Sequence, residues 1–216
     1  MFAAHKSRKL LRMTIWATGV AILFGITDFF YQRFLVSPMG SSEFVFISAF
    51  LFLPGCIGFV LVPFLGIACL SKKYSGKAFP LFVASLVLVG GTFWAGRIGS
   101  AVRRDAFAAL AIRSKPLVAA IRAYERDHGS PPEILNNLVP DYLASIPSTG
   151  MGAYPTYRYG TDHVAKQWKN PWVLYVFTPS GGINFDEFAY LPNQNYPSED
   201  SSGYWERIED WAYLHE

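Results

Sequence analysis

Three long runs of apolar residues dominate the first half of the chain. They cover about Thr14–Val36, about Phe44–Leu70 and about Phe79–Ile98. A helix needs roughly 20 mostly apolar residues to cross the hydrocarbon core of a bilayer, and each run is long enough. The sequence therefore predicts an N-terminal segment at residues 1–13, a three-helix transmembrane region at 14–100 and an exported domain at 101–216.

The first apolar run follows the basic sequence His5-Lys-Ser-Arg-Lys-Leu-Leu-Arg12, as the apolar run of a signal peptide does. The run is longer than that of a signal peptide, and no small-x-small cleavage site closes it. We therefore predict that this segment is retained as a membrane helix.

Basic residues flank the apolar runs unevenly. Four precede the first run, and Lys72, Lys73 and Lys77 lie between the second and third, whereas the connection Ser37–Glu43 has none. Lys and Arg are enriched in cytoplasmic loops. The pattern predicts a cytoplasmic N-terminus and a C-terminal domain on the far side of the membrane. In a bacterium these correspond to an inner-membrane protein with a periplasmic domain.

The charge changes sign along the chain. Residues 1–104 carry 11 Lys and Arg against 2 Asp and Glu, a net charge of +9, whereas residues 105–216 carry 8 against 14, a net charge of −6. The basic residues flank apolar runs and do not gather on one face, which argues against a nucleic-acid partner. The predicted partners are the lipid bilayer for the first half and a basic protein for the acidic domain.

Polar and small residues inside the runs suggest contacts between helices. Asp28 is the acid of the first run, and Arg97 lies at a similar depth in the third, so we predict an intramembrane pair between them. Glycines such as Gly55, Gly58 and Gly91 allow close packing within the bundle, and a homo-oligomer through the same glycines is the alternative. Cys56 and Cys69 lie on different turns of one helix and cannot pair.

An amphipathic helix is predicted after the third run, from Arg104 to His128. Its apolar residues Leu110, Leu117 and Val118 fall near the helical spacing. Pro116 either kinks one continuous helix or begins a new one.

A distinctive series of residues spans the end of this helix and the segment that follows it. Its residues are Tyr124, Asp127, Gly129, Pro132, Leu135, Leu138, Pro140, Tyr142, Leu143, Ile146 and Pro147. Residues 105–150 resemble the end of the long helix and the following loop of type IV pilins and of type II secretion pseudopilins. A looser likeness is to small bacterial multi-span membrane proteins that carry such a module. The resemblance implies a pilin-like, exported fold.

After Gly150, apolar and polar residues alternate as they do in β-strands. Strands are predicted near residues 155–159, 172–177, 183–190, 203–208 and 210–214, with turns at Gly181-Gly182 and a polar loop at 193–202. The predicted fold class is therefore membrane α-helical plus an α+β domain, in which a long helix packs on a three- to four-stranded antiparallel sheet.

Catalytic and metal-binding patterns are weak in this sequence. His128, His163 and His215 lie far apart, and Ser180-Gly181-Gly182 lacks the spacing of a nucleophile elbow. Asn193, Asn195, Glu199 and Asp200 leave calcium binding open as a minor alternative. We predict no enzyme, no cofactor and no metal.

Aromatic residues of the C-terminal domain suggest protein binding. Trp168, Trp172, Trp205 and Trp211, with the acids Glu206 and Asp210, form the predicted partner-binding set. The first interpretation is an immunity-type protein that neutralises a basic toxin. The alternatives are an accessory component of a secretion or envelope assembly and an enzyme of unknown type.

Overall fold

The computed structural model describes residues 2–180, 184–197, 199–200 and 203–215. The chain divides into two units. The first comprises Met1–Arg33 and Phe46–Val102, and the second comprises Phe34–Val45 and Arg103–Glu216. The first unit is helical, and the second combines a helix with an antiparallel sheet, as the sequence predicts.

Helices account for most of the first half. The run predicted as a single second span is divided between two helices, because Pro54 lacks a backbone donor and lies in the first turn of the longer one. The third predicted span does not end near residue 98 but continues as one helix past Pro116. The helices are α1 (Phe2–Leu35), α2 (Ile47–Leu51), α3 (Leu53–Leu70) and α4 (Ser75–His128), with a short 3-10 helix at Ser42–Phe44.

Large apolar side chains cover the outside of the helical unit. Trp16, Phe59 and Trp94 are 75%, 72% and 70% exposed. Within the described residues, three segments are long and apolar enough to cross a membrane, namely Leu11–Leu35, Leu53–Leu70 and the apolar part of Ser75–His128. Helices that are apolar on all sides are typical of a lipid environment.

Glycines bring the helices of this unit into close contact. A Cβ on Gly55 would lie 2.6 Å from the Cβ of Thr92, and one on Gly58 would lie 3.0 Å from the carbonyl oxygen of Ser85. A Cβ on Gly91 would overlap the side chain of Ala21. The small residues therefore serve packing between helices of the same chain.

In the second unit, the C-terminal part of α4 packs on a sheet through a regular apolar stripe. Phe107, Leu110, Leu117 and Ile121 are fully buried, at the i, i+3, i+4 spacing of one helical face. Ser114 lies inside the helix on this buried face and donates to the carbonyl of Ala111.

In the part of the chain that the structure describes, the sheet has six antiparallel strands in the order β1-β2-β3-β6-β5-β4. The prediction of three to four strands is wrong, since each predicted segment forms its own strand and a two-residue strand lies in the expected polar loop. The predicted turn at Gly181-Gly182 lies outside the described residues. The strands are β1 (Arg158–Gly160), β2 (Val173–Phe177), β3 (Glu187–Tyr190), β4 (Glu199–Asp200), β5 (Gly203–Ile208) and β6 (Trp211–His215).

The two faces of the sheet are covered by different parts of the chain. On the α4 face, Phe107 stacks on Phe188 with ring centroids 5.0 Å apart. On the other face, a short helix α5 (His163–Gln167) and the loop at 191–197 cover a second apolar cluster that includes Trp205 and Leu214. The sheet is therefore the middle layer of the unit.

The connection Phe34–Val45 belongs to the second unit, although 57 residues of helix and loop separate it from Arg103 in the sequence. The backbone N–H of Gly152 donates to the carbonyl of Ser37 at 2.7 Å, and that of Ala153 donates to Leu35. A Cβ on Gly152 would meet the carbonyl of Gly40 and lie 2.7 Å from that of Pro38. Two backbone segments are thus in direct contact where a side chain would not fit.

This contact predicts that Gly152→Ala destabilises the protein. Because the obstructing atoms are backbone carbonyls, which cannot rotate away, we expect a cost of about 1–3 kcal/mol, as for overpacking elsewhere. Thermal unfolding of the full chain in detergent, followed by tryptophan fluorescence, measures it. The control is Gly90→Ala, where an added Cβ meets nothing within 4 Å. Equal melting temperatures of the two variants would contradict the close backbone contact at Gly152.

Candidate functional site

Three of the four tryptophans predicted to bind a partner lie in the core. Trp172 and Trp211 are fully buried, and Trp205 is 4% exposed. Trp211 stacks on Phe188 at 5.0 Å, and Trp172 stacks on Tyr190 at 5.6 Å. Burial inside the domain argues against a binding role for these three residues. Trp172 and Trp211 pack between α4 and the sheet, and Trp205 packs on the opposite face of the sheet.

The remaining members of that set also make contacts within the domain. Trp168 is half-buried and meets Trp205 edge-on at 5.4 Å. Glu206 forms an ion pair with Arg104 and lies 3.1 Å from Nε2 of His215. Asp210 is half-buried. These residues do not join into one exposed aromatic and acidic face.

A buried arginine connects α4 to the sheet and its loops. Arg103 is 4% exposed. Its guanidinium donates to the hydroxyl of Tyr154 at 2.7 Å, to the carbonyl of Thr178 at 2.6 Å and to the hydroxyl of Tyr213 at 3.2 Å. Tyr213 in turn donates to the carboxylate of Asp186, which is itself buried. A buried cation and a buried anion are therefore linked through one phenol.

The segment resembling pilins forms the end of α4 and a compact turn. Gly129 has φ of +74°, the left-handed conformation that closes a helix. Tyr142 donates to the carboxylate of Asp127 at 2.9 Å, and the ring of Tyr124 stacks on His128 at 4.0 Å. Of the other motif residues, Pro132 and Leu138 are buried, Leu135, Leu143, Ile146 and Pro147 are half-buried, and Pro140 is exposed after a cis peptide bond.

Part of this segment lines a groove of about 520 Å³ in the second unit. Three stretches that are distant in sequence form its walls, namely residues 133–136, 146–148 and 155–159. Most of the lining is apolar or aromatic, and Glu133 is the charged residue among the described ones. The lining residues are Glu133, Ile134, Leu135, Asn136, Ile146, Pro147, Ser148, Pro155, Thr156, Tyr157 and Tyr159.

Two tyrosines of this groove have unusual surroundings. The hydroxyls of Tyr157 and Tyr159 are buried and have no hydrogen-bond partner in the described part of the chain. Burial disfavours the charged phenolate and raises the pKa of Tyr157 to about 12, with Arg113 opposing the shift. Burial also raises the pKa of Tyr159, and the charge of Glu125 adds to this. Both side chains are therefore neutral hydrogen-bond donors at physiological pH.

The same groove adjoins an edge of the sheet. Residues 155–157 lead directly into β1, which is the first strand in the sheet order and pairs with β2 alone among the described strands. An edge strand presents unpaired backbone N–H and C=O groups. Sequence reasoning missed this site because no local pattern connects Glu133 and Ile146 to β1. The Tyr157-Arg158-Tyr159 alternation was the available signal.

The predicted intramembrane pair stays a prediction. Asp28 is 2% exposed, and its carboxylate accepts a hydrogen bond from the amide of Gln32 at 3.3 Å. Its other oxygen lies against Gly99, where a Cβ would come within 2.6 Å. The side chain of Arg97 is exposed.

Metal ligands do not cluster in the part of the chain that the structure describes, where no group of three or more His, Cys, Asp or Glu is placed to hold an ion. In the loop considered for calcium, the amide of Asn193 donates to the carbonyl of Lys169, and that of Asn195 donates to Trp168. Ser198, Ser201 and Ser202 of this loop lie outside the described residues.

Comparisons with known proteins found no family model, no curated protein and no solved structure that matches this chain.

The network around Arg103 predicts unequal effects of two adjacent substitutions. Arg103→Met leaves two phenols, a carbonyl and the buried Asp186 without their cation, and we expect a loss of about 3–5 kcal/mol in the free energy of unfolding. Arg104→Met removes an ion pair whose arginine is 60% exposed, and we expect about 0–1 kcal/mol. Urea unfolding of the two full-length variants measures both values. Similar losses would show that the Arg103 network is not a main source of stability.

Proposed function

We propose that this protein is anchored in a bacterial inner membrane by three helices and presents its C-terminal unit in the periplasm, where that unit binds another protein. The apolar surface of the helical unit supports the anchor. In the most apolar 18-residue stretches of α1 and α3, only 11% of residues are buried within the chain. In water such a surface would drive aggregation, whereas lipid tails accommodate it.

The two segments that make up the second unit support the proposed topology. Phe34–Val45 and Arg103–Glu216 belong to one unit, so they lie on the same side of any membrane that the chain crosses. Two candidate spans separate them in the sequence, which is the even number that such an arrangement requires. The loop between those spans carries Lys72, Lys73 and Lys77, and basic loops favour the cytoplasm.

The groove supports binding over catalysis. Its described lining offers apolar surface, two phenols and one carboxylate. The buried charges of Arg103 and Asp186 are committed to hydrogen bonds inside the domain. Tyrosine is enriched among the few residues that contribute most of the binding energy in protein interfaces, and the apolar residues around it exclude water.

Two roles fit a periplasmic binding domain. An immunity-type protein that captures a basic toxin is favoured by the acidic balance of residues 105–216, whose net charge is −6. An accessory component of a secretion or envelope assembly is favoured by a long helix that packs on an antiparallel sheet, as the resemblance to pilins implies.

The topology predicts the accessibility of single cysteines. In a Cys56→Ala, Cys69→Ala background, Met39→Cys and Tyr204→Cys are expected to react with a membrane-impermeant maleimide in spheroplasts. Tyr74→Cys is expected to react only after lysis. All three native side chains are well exposed, at 83%, 56% and 52%, so burial does not explain a difference. Labelling of position 74 in intact spheroplasts would refute the topology.

Protein binding through the groove predicts site-dependent crosslinking in the cell. A photoreactive amino acid at Ile134, which is 57% exposed and lines the groove, is expected to give a covalent protein adduct. The control position is Tyr204, which is 56% exposed and lies on β5. Mass spectrometry of the adduct separates a toxin from an envelope component. The binding proposal fails if position 134 yields no adduct beyond that at position 204.

A further inference from the structure

We propose that the groove beside β1 binds an extended peptide, which pairs with β1 as an added strand and directs a basic residue toward Glu133. This inference rests on the proposed protein-binding function and specifies how the partner is recognised. In this mode, main-chain hydrogen bonds supply affinity, and pockets for alternate side chains supply specificity.

The open edge of the sheet supplies the first argument. β1 pairs with β2 in antiparallel register, with Tyr159 opposite Leu174, and it is the terminal strand of the sheet. Arg158 lies over the ring of Phe177 at 5.4 Å, so its contact is with the neighbouring strand β2. The opposite edge of the sheet is β4, which has two residues against the three of β1, and very short edge strands discourage pairing. β1 is therefore the edge better suited to an added strand.

The position of the groove supplies the second argument. Tyr157 and Tyr159 both line it, and residues two apart in an extended segment share one face of a sheet. A strand added to β1 would place every second side chain on that same face. The apolar wall there includes Ile134, Ile146 and Pro147, which fits aliphatic side chains at alternate positions. The edge of β1 thus offers backbone hydrogen-bonding groups, and the groove offers space for side chains. An extended peptide uses both.

The negative charge in and around the groove indicates which kind of peptide it would bind. Glu133 is exposed and is the charged residue in the described lining of the groove. The surrounding sequence from residue 105 onward has a net charge of −6, which attracts a basic ligand from a distance. The expected ligand is therefore an extended segment of alternating aliphatic residues with a lysine or arginine.

The test uses the full-length protein in nanodiscs and a fluorescent peptide of alternating valine and threonine with one central lysine. Fluorescence anisotropy measures binding. Three matched peptides are compared: the parent, one with alternate backbone amides N-methylated, and one with glutamate in place of lysine. We expect the parent to bind at least about tenfold more tightly than either of the other two, since a tenfold change corresponds to the loss of one or two good hydrogen bonds.

Substitutions in the protein test whether the peptide binds in this groove. Glu133→Lys is expected to reverse the preference between the lysine and glutamate peptides, whereas Glu209→Lys, an exposed site with the same charge change, is expected to preserve it. Ile134→Asp is expected to weaken the parent peptide at least about tenfold by placing a charge on the apolar wall. An unaltered melting temperature of each variant confirms that the fold is intact.

Several outcomes overturn the proposal. Equal binding of the N-methylated peptide shows that strand pairing is not used. Absence of binding at about 1 mM peptide, the weak end of measurable affinity, excludes this ligand class. Crosslinks from position 134 to a second copy of the chain identify self-association as the occupant. If crosslinking to another protein persists while the peptide does not bind, the protein-binding function survives and strand addition fails; if both are absent, both fail.

Discussion

The buried guanidinium of Arg103 is the interaction on which the C-terminal unit depends most. Removing an arginine from water is costly, and the cost is offset only when its donors find acceptors. Here those acceptors come from the turn at Tyr154, from Thr178 directly after β2 and from Tyr213 on strand β6. Because guanidinium geometry is planar and fixed, these contacts also fix the position of α4 along the sheet.

The aromatic core extends this arrangement along α4. The guanidinium of Arg103 lies over the ring of Phe107, one turn further along the helix, at 5.2 Å. Phe107 stacks on Phe188, which in turn stacks on Trp211. Trp172 and Trp211 therefore serve core packing between helix and sheet, whereas Trp205 packs on the opposite face of the sheet. The proposed binding surface is formed by tyrosine and aliphatic residues beside β1.

The segment Phe34–Val45 lies between two apolar helices in the sequence, but it packs as part of the C-terminal unit. Leu35 is fully buried, and Gly152 contacts the backbone around Gly40 without space for a side chain. A fragment that begins at Arg103 lacks this component, so the natural unit for experiments is the whole chain. The same contact gives the proposed membrane topology a physical basis independent of the distribution of basic residues.

The sequence by itself determined the three apolar helices, the amphipathic stripe of α4 and most of the strand positions, because each depends on a local period of hydrophobicity. It also placed Gly129 at the end of α4, where only a left-handed residue closes the helix without strain. Tertiary structure alone decided which tryptophans are buried, since a strand-forming tryptophan has the same local pattern on a core face and on a binding face. It alone brought Glu133, Ile146 and Tyr157 together and joined Phe34–Val45 to a domain that follows much later in the chain. Such contacts are set by packing between distant segments, for which a single sequence carries no periodic signal.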